Sequence, residues 1–168
     1  MIPKFRGWHK ELEQMIYGKE ICGYIEYDTN LIDALNQMLN DDSFELMQST
    51  GLKGYMSDEH DDTEEKDVYK GDIIDIFWEE WPMGYYQENH MIGVVDKDET
   101  GTAWIIQDAK YDFDTPKPIP SEIDGIPVSM SLPDAEDLEE IFLHNFNLTS
   151  SDITILGNIY ENPELLEG

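Results

Sequence analysis

The residues able to do chemistry in this 168-residue chain are plentiful in one class and scarce in the others. Aspartate and glutamate total 38, against four histidines, one cysteine and ten lysines and arginines together. General acid–base work needs carboxylates that face each other across a site. The pairs Glu79-Glu80 and Glu139-Glu140 are adjacent in sequence instead, and so acidic a chain contains many such neighbours. His9, His60, His90 and His144 have no metal-ligand spacing to one another or to Cys22. Asp96–Gly101 matches the front of a calcium loop, but the twelfth position is Gln107 and the flanks are β-forming. No nucleophile elbow, phosphate loop or dinucleotide fingerprint is present. The expectation is a chain that is not an enzyme, with no catalytic residues, no metal site and no cofactor.

Arg6 is the single arginine. Among so many acids its expected role is a structural ion pair or a tie to a backbone carbonyl, with Asp72 one possible partner; the other role is to anchor a ligand. Trp8, Tyr69, Trp78, Trp104 and Tyr160 are expected in the core, and an exposed group of them would mark an interface. Cys22 reads as a small core residue, and a lone cysteine cannot form an intramolecular disulfide.

The formal charge is −28. That excludes binding nucleic acid through phosphate neutralisation and opposes docking on anionic membranes. It does not exclude folding, because 40% of residues are apolar and 11% aromatic. The charge is uneven: residues 1–57 carry a net −4 and residues 58–168 a net −24. Ser57–Asp67 alone holds seven acids and no apolar residue, so a solvated loop is expected there. Met1–Lys10 lacks the apolar stretch of a signal peptide, and no run approaches the ~20 residues of a membrane span. A cytoplasmic location is expected.

The elements that must position these residues follow from periodicity. Phe5–Trp8, Met15–Tyr17, Ile21–Tyr27 and Phe44–Gln48 read as short strands, the last closed by a turn at Ser49-Thr50-Gly51. Leu31, Ile32, Leu35, Met38 and Leu39 make one apolar face of a helix over about 30–40. Ile73–Trp78 is strongly β-forming and breaks at Trp81-Pro82-Met83-Gly84. Met91–Val95 and Thr102–Ile106 form a hairpin around Asp96–Gly101. Five prolines between Pro116 and Pro133 make an irregular excursion. A second amphipathic helix is expected over Asp134–Phe146 and a last strand over Ile153–Tyr160. Asn162-Pro163 signals a helix start. The expected fold class is α+β and β-rich: a small bent antiparallel sheet or SH3-like partial barrel, centred on 68–107 and 153–160, with two amphipathic helices. One domain is expected over 1–168, with an N-terminal α/β part to about 56, the acidic loop 57–67 and a β-rich part from 68.

Four segments together resemble the YopX family of phage and prophage proteins: Lys4–Trp8, Leu46–Lys53, Val68–Ile73 and Gly157–Leu166. The resemblance implies a small β-rich protein of a bacteriophage of Gram-positive hosts, and it supplies no catalytic residues. Tyr55–Asp67 is longer and more acidic than the family's turn there, and the stretch 108–133 looks like an addition. The candidate binding residues lie in the four segments: Arg6, Trp8, Gln48, Tyr69, Asp72, Asn158 and Tyr160. With no catalytic constellation, the expected function is a protein–protein interaction module with an unknown protein partner. Self-association is expected to cover the edges of its Ile- and Trp-rich strands. The alternative is an acidic DNA mimic that blocks a host DNA-binding protein. Its mean charge density, about a third of that of duplex DNA, would require most acids on one face.

Overall fold

The computed structural model describes residues 4–17, 31–57, 64–113, 122–123, 126–127 and 141–167. The strand expected over Ile21–Tyr27, Cys22 and most of the proline-rich stretch lie outside them. β1 (Phe5–His9) and β2 (Gln14–Tyr17) form a hairpin, and α1 (Leu31–Leu39) follows. Then come β3 (Phe44–Met56), β4 (Lys66–Tyr69), β5 (Asp72–Glu80), β6 (Gln87–Lys97) and β7 (Trp104–Phe113). β8 (Glu122–Ile123) and β9 (Ile126–Pro127) pair only with each other. β10 (Ile141–Phe142) and β11 (Ile153–Asn158) return to the main sheet.

Among the described residues the main sheet has nine strands, in the order β10-β7-β6-β5-β11-β3-β1-β2, with β4 paired to β3. It curls into a half-barrel. The ladders are antiparallel except β11 on β3, which is parallel and places the last strand between β3 and β5. Register shifts bend the ladders at three places: between Ser49 and Lys53, between Ile92 and Val94, and between Ile155 and Gly157. An extra residue on one strand raises local twist and bends it, so three bulges close the curl.

The first of these corrects an expectation. Ser49-Thr50-Gly51 does not end the strand. Gly51 takes φ +84°, the Thr50 hydroxyl donates to the Val68 carbonyl at 3.0 Å, and β3 runs on to Met56. The turn chemistry is present, but pairing with β4 converts it into a bulge.

The core of the curl is Val68, Ile74, Ile76, Met91, Val95, Ile106, Leu143, Ile153 and Ile155. Each such side chain contributes about 1.5–3 kcal/mol relative to exposure. A second cluster, Ile16, Ala34 and Met38, seats α1 against the first three strands. The helix forms where expected, but its buried stripe is Ala34, Leu35 and Met38, whereas Ile32 and Leu39 are exposed. The second expected helix is not found at its described end: Ile141-Phe142 pair with β7, and Leu143–Asn145 make one 3-10 turn. Its remainder, 134–140, lies outside the described residues. The closing Asn162-Pro163 signal starts a 3-10 turn, Pro163–Leu166. Of the acidic segment, Lys66 and Asp67 belong to β4, and residues 58–63 lie outside the described residues.

Candidate functional site

Two places concentrate polar and aromatic side chains. The first is a junction where β1, the β4–β5 turn and the end of β11 meet. Lys70-Gly71 is a tight turn with Gly71 at φ +84°, a conformation open to glycine. The turn delivers Asp72 to the start of β5, 1% exposed. Its Oδ2 accepts the Tyr69 N–H at 2.8 Å, and its Oδ1 accepts Arg6 Nη2 at 2.5 Å. Arg6, 4% exposed, also donates to the Lys70 carbonyl at 3.4 Å, and its guanidinium lies over the Tyr69 ring at 4.8 Å. Burial pushes the Asp72 carboxyl up, and Arg6 and the Tyr69 N–H pull it down.

Backbone bonds tie the turn to β3, to β6 and to the residue that follows β11. Gly71 N donates to the Val95 carbonyl at 2.8 Å, Lys70 N to the Gln48 carbonyl at 2.9 Å, and Ile159 N to the Gly71 carbonyl at 3.0 Å. Asn158 lies opposite Asp72. Its Oδ1 accepts the N–H groups of Tyr160 and Glu161, at 3.1 and 3.0 Å, and its Nδ2 donates to Glu161. Tyr160 stacks on Trp8 with ring centroids 5.5 Å apart. All seven candidate binding residues are therefore brought together. Gln48 takes part through its backbone carbonyl. A cleft of about 530 Å³ opens beside the junction, lined by Tyr17, Tyr69, Asn158 and Glu161 and rimmed by Glu64 and Glu65. The Arg6 charge is paired with Asp72 inside the junction.

The second place is the turn between β5 and β6, Trp81-Pro82-Met83-Gly84-Tyr85-Tyr86. One 3-10 turn, Pro82–Gly84, reverses the chain, and Met83 takes φ +52°. A bulky residue there is strained by about 1–2 kcal/mol. Trp81 is 59% exposed, Met83 57%, Tyr85 46% and Tyr86 48%. The Trp81 and Tyr86 rings lie 5.4 Å apart. Below them Glu79 and Glu88 stand directly opposite each other on the two strands. The Tyr86 hydroxyl reaches both carboxylates, at 2.6 and 2.5 Å. These bonds, that to Glu79 first, hold the phenol protonated well above its ordinary range. An open groove of about 510 Å³ leads from Trp81 past Trp78 to Phe146 and Leu148.

None of the five aromatic residues expected in the core is exposed. Tyr69 is buried, and Trp8, Trp78, Trp104 and Tyr160 are half-buried. The exposed group is the hairpin turn, which reads in sequence as no more than a strand break. Its signal was available: four large apolar or aromatic residues in a six-residue turn, where polar residues are ordinarily found. The calcium-like loop is a plain hairpin loop. Asp98 Oδ1 accepts the N–H groups of Thr102 and Ala103, both at 2.9 Å. His90 lies 3.2 Å from Asp75, and His60 falls outside the described residues. Among the described residues no group of three or more His, Cys, Asp or Glu is arranged to hold a metal. No helix among them is long and apolar enough to cross a membrane.

A family model, YopX protein, matches residues 4–120. The match contains three of the four segments that carry the resemblance and stops before Gly157–Leu166. No curated protein and no solved structure matches the chain.

Proposed function

The chain belongs to the YopX family, and from that premise we propose that it is a non-catalytic protein–protein interaction module whose contact face is the β5–β6 turn. One observation carries this: four large apolar side chains are held out to solvent on a reinforced hairpin. Tryptophan and tyrosine dominate interface hot spots. The four expose on the order of 400 Å² together, about half of one partner's share of a standard interface. A turn needs none of them to fold.

The same reading takes the sheet of β4–β7 and β11 as an SH3-like partial barrel, supported by the Gly71-Asp72 turn before β5 and the bulge at Gly93. It takes the protein as a single domain of a phage or prophage, acting in the bacterial cytoplasm and free to self-associate.

The test is affinity capture from a bacterial lysate with three baits: wild type, Trp81→Ala/Tyr85→Ala, and a deletion of residues 58–63. The expected result is a set of proteins held by wild type and by the deletion and lost from the double variant, whose melting temperature stays near wild type. Retention of the whole set by the double variant would overturn the reading.

A further inference from the structure

Independently of the partner face at the β5–β6 turn, we propose that the cleft beside the junction binds a small uncharged ligand with a carbonyl on a planar ring, the chemistry of a nucleobase or of a nucleoside without phosphate. The Arg6 guanidinium has five N–H donors. Both of its hydrogen bonds, to Asp72 and to the Lys70 carbonyl, leave from Nη2. Its Nε is buried and has no hydrogen-bond partner among the described residues. Arg6 is 4% exposed, and folded proteins rarely leave so buried a donor without an acceptor. Arg6 is also one of the side chains that line the cleft. A ligand seated there with an acceptor oxygen completes it. Arg6 thereby holds the frame through one nitrogen and anchors a ligand through another.

The walls select the kind of acceptor. The Arg6 charge is paired with Asp72, and the other charged side chains of the cleft are Glu64, Glu65, Asp67 and Glu161 against Lys66. That excess of negative charge opposes a phosphate or a carboxylate. A neutral carbonyl oxygen meets the donor without this repulsion. The rings of Tyr17 and Tyr69 both line the cleft and meet edge to face, with centroids 6.5 Å apart. Arg6 lies over the Tyr69 ring, and Tyr17 is 47% exposed. Stacking on tyrosine suits a planar heterocycle. Met56, Ile155 and Leu156 add apolar lining. At about 530 Å³ the cleft falls in the range of small-molecule sites, roughly 300–1,000 Å³.

Arg6 is the only arginine, so its Nε–H gives a single, unambiguous ¹H–¹⁵N signal. The test titrates the full-length, ¹⁵N-labelled chain with inosine, adenosine and inosine 5′-phosphate. Inosine carries a ring carbonyl where adenosine carries an amino group. Inosine should shift the Arg6 Nε–H signal and bind about ten-fold tighter than adenosine, which brings a donor to a donor. Inosine 5′-phosphate should bind about three-fold more weakly than inosine at low salt, and the difference should shrink as salt is raised. Tyr17→Ala should weaken inosine binding about ten-fold while the melting temperature stays near wild type. Tyr85→Ala, at the hairpin, should leave inosine binding unchanged. An Arg6 Nε–H signal that does not move with inosine would overturn the proposal. Equal binding of adenosine would reject the carbonyl, and tighter binding of the phosphate would reject an uncharged ligand.

Discussion

The junction and the hairpin turn both combine carboxylates with aromatic rings and use them in opposite ways. At the junction a cation, a carboxylate and an aromatic ring are buried together and complete one another: Arg6, Asp72 and Tyr69. At the turn Trp81, Tyr86 and Glu79 are exposed, and Glu88 is half-buried. The chain's one arginine is spent inside. The contrast separates frame from contact. The buried set joins β1, the β4–β5 turn and, through Asn158, the end of β11. The exposed set is linked within its own hairpin by the Tyr86 hydroxyl contacts to Glu79 and Glu88.

The comparison breaks most easily at Arg6. Arg6→Ala leaves Asp72 buried and uncompensated, so stability should fall by about 3–5 kcal/mol. Urea denaturation measures it. Arg6→Met with Asp72→Leu removes both charges and should recover most of the loss. A loss below about 1 kcal/mol for Arg6→Ala would mean that the junction is not a frame. Asn158→Ala frees two backbone N–H groups and should cost about 1–2 kcal/mol by the same assay.

The turn should behave in reverse. Trp81→Ala/Tyr85→Ala should change stability by less than about 1 kcal/mol while abolishing partner capture. A larger loss in a urea melt would assign the turn to the frame.

Charge effects are smaller. Crowded carboxylates repel, so raising salt from low to moderate should lift the melting temperature by a few degrees. A flat dependence would show the acids too dispersed to repel. Smallest is Asp98, whose carboxyl is held below its ordinary value by the Thr100 hydroxyl and then the Ala103 N–H. A depressed carboxyl contributes stability at neutral pH and loses it as pH falls through its folded value. Asp98→Asn should therefore slightly flatten the acid side of the stability–pH curve. An unchanged curve would show that the loop adds nothing.

Much of the frame was legible in the sequence. A lone arginine among 38 acids suggested a structural ion pair with Asp72 as one possible partner, and that pair forms. Short β-forming runs bounded by turn residues located β1, β2, β5, β6, β7 and β11. Three features escaped for physical reasons. Ser49-Thr50-Gly51 has the same chemistry in a turn and in a bulge, and only pairing with β4 decides between them. The helix pattern gave one face that included Ile32 and Leu39, and packing against Ile16 buries Met38 with Ala34 instead and leaves those two exposed. The aromatic turn was hidden by its own proline and glycine, which announce a break and say nothing about exposure. The position of β11 between β3 and β5 depends on contacts about 80–100 residues apart, which no local signal carries.

The central claim is that contact occurs at the turn and not at the junction. Hydroxyl-radical footprinting tests it most directly, on the full chain alone and bound to a captured partner. The account predicts that Trp81, Met83, Tyr85 and Tyr86 react readily in the free chain and are protected on binding, while Tyr17 and Tyr69 at the cleft do not change. Protection of Tyr17 and Tyr69, with the four turn residues still reactive, would contradict it.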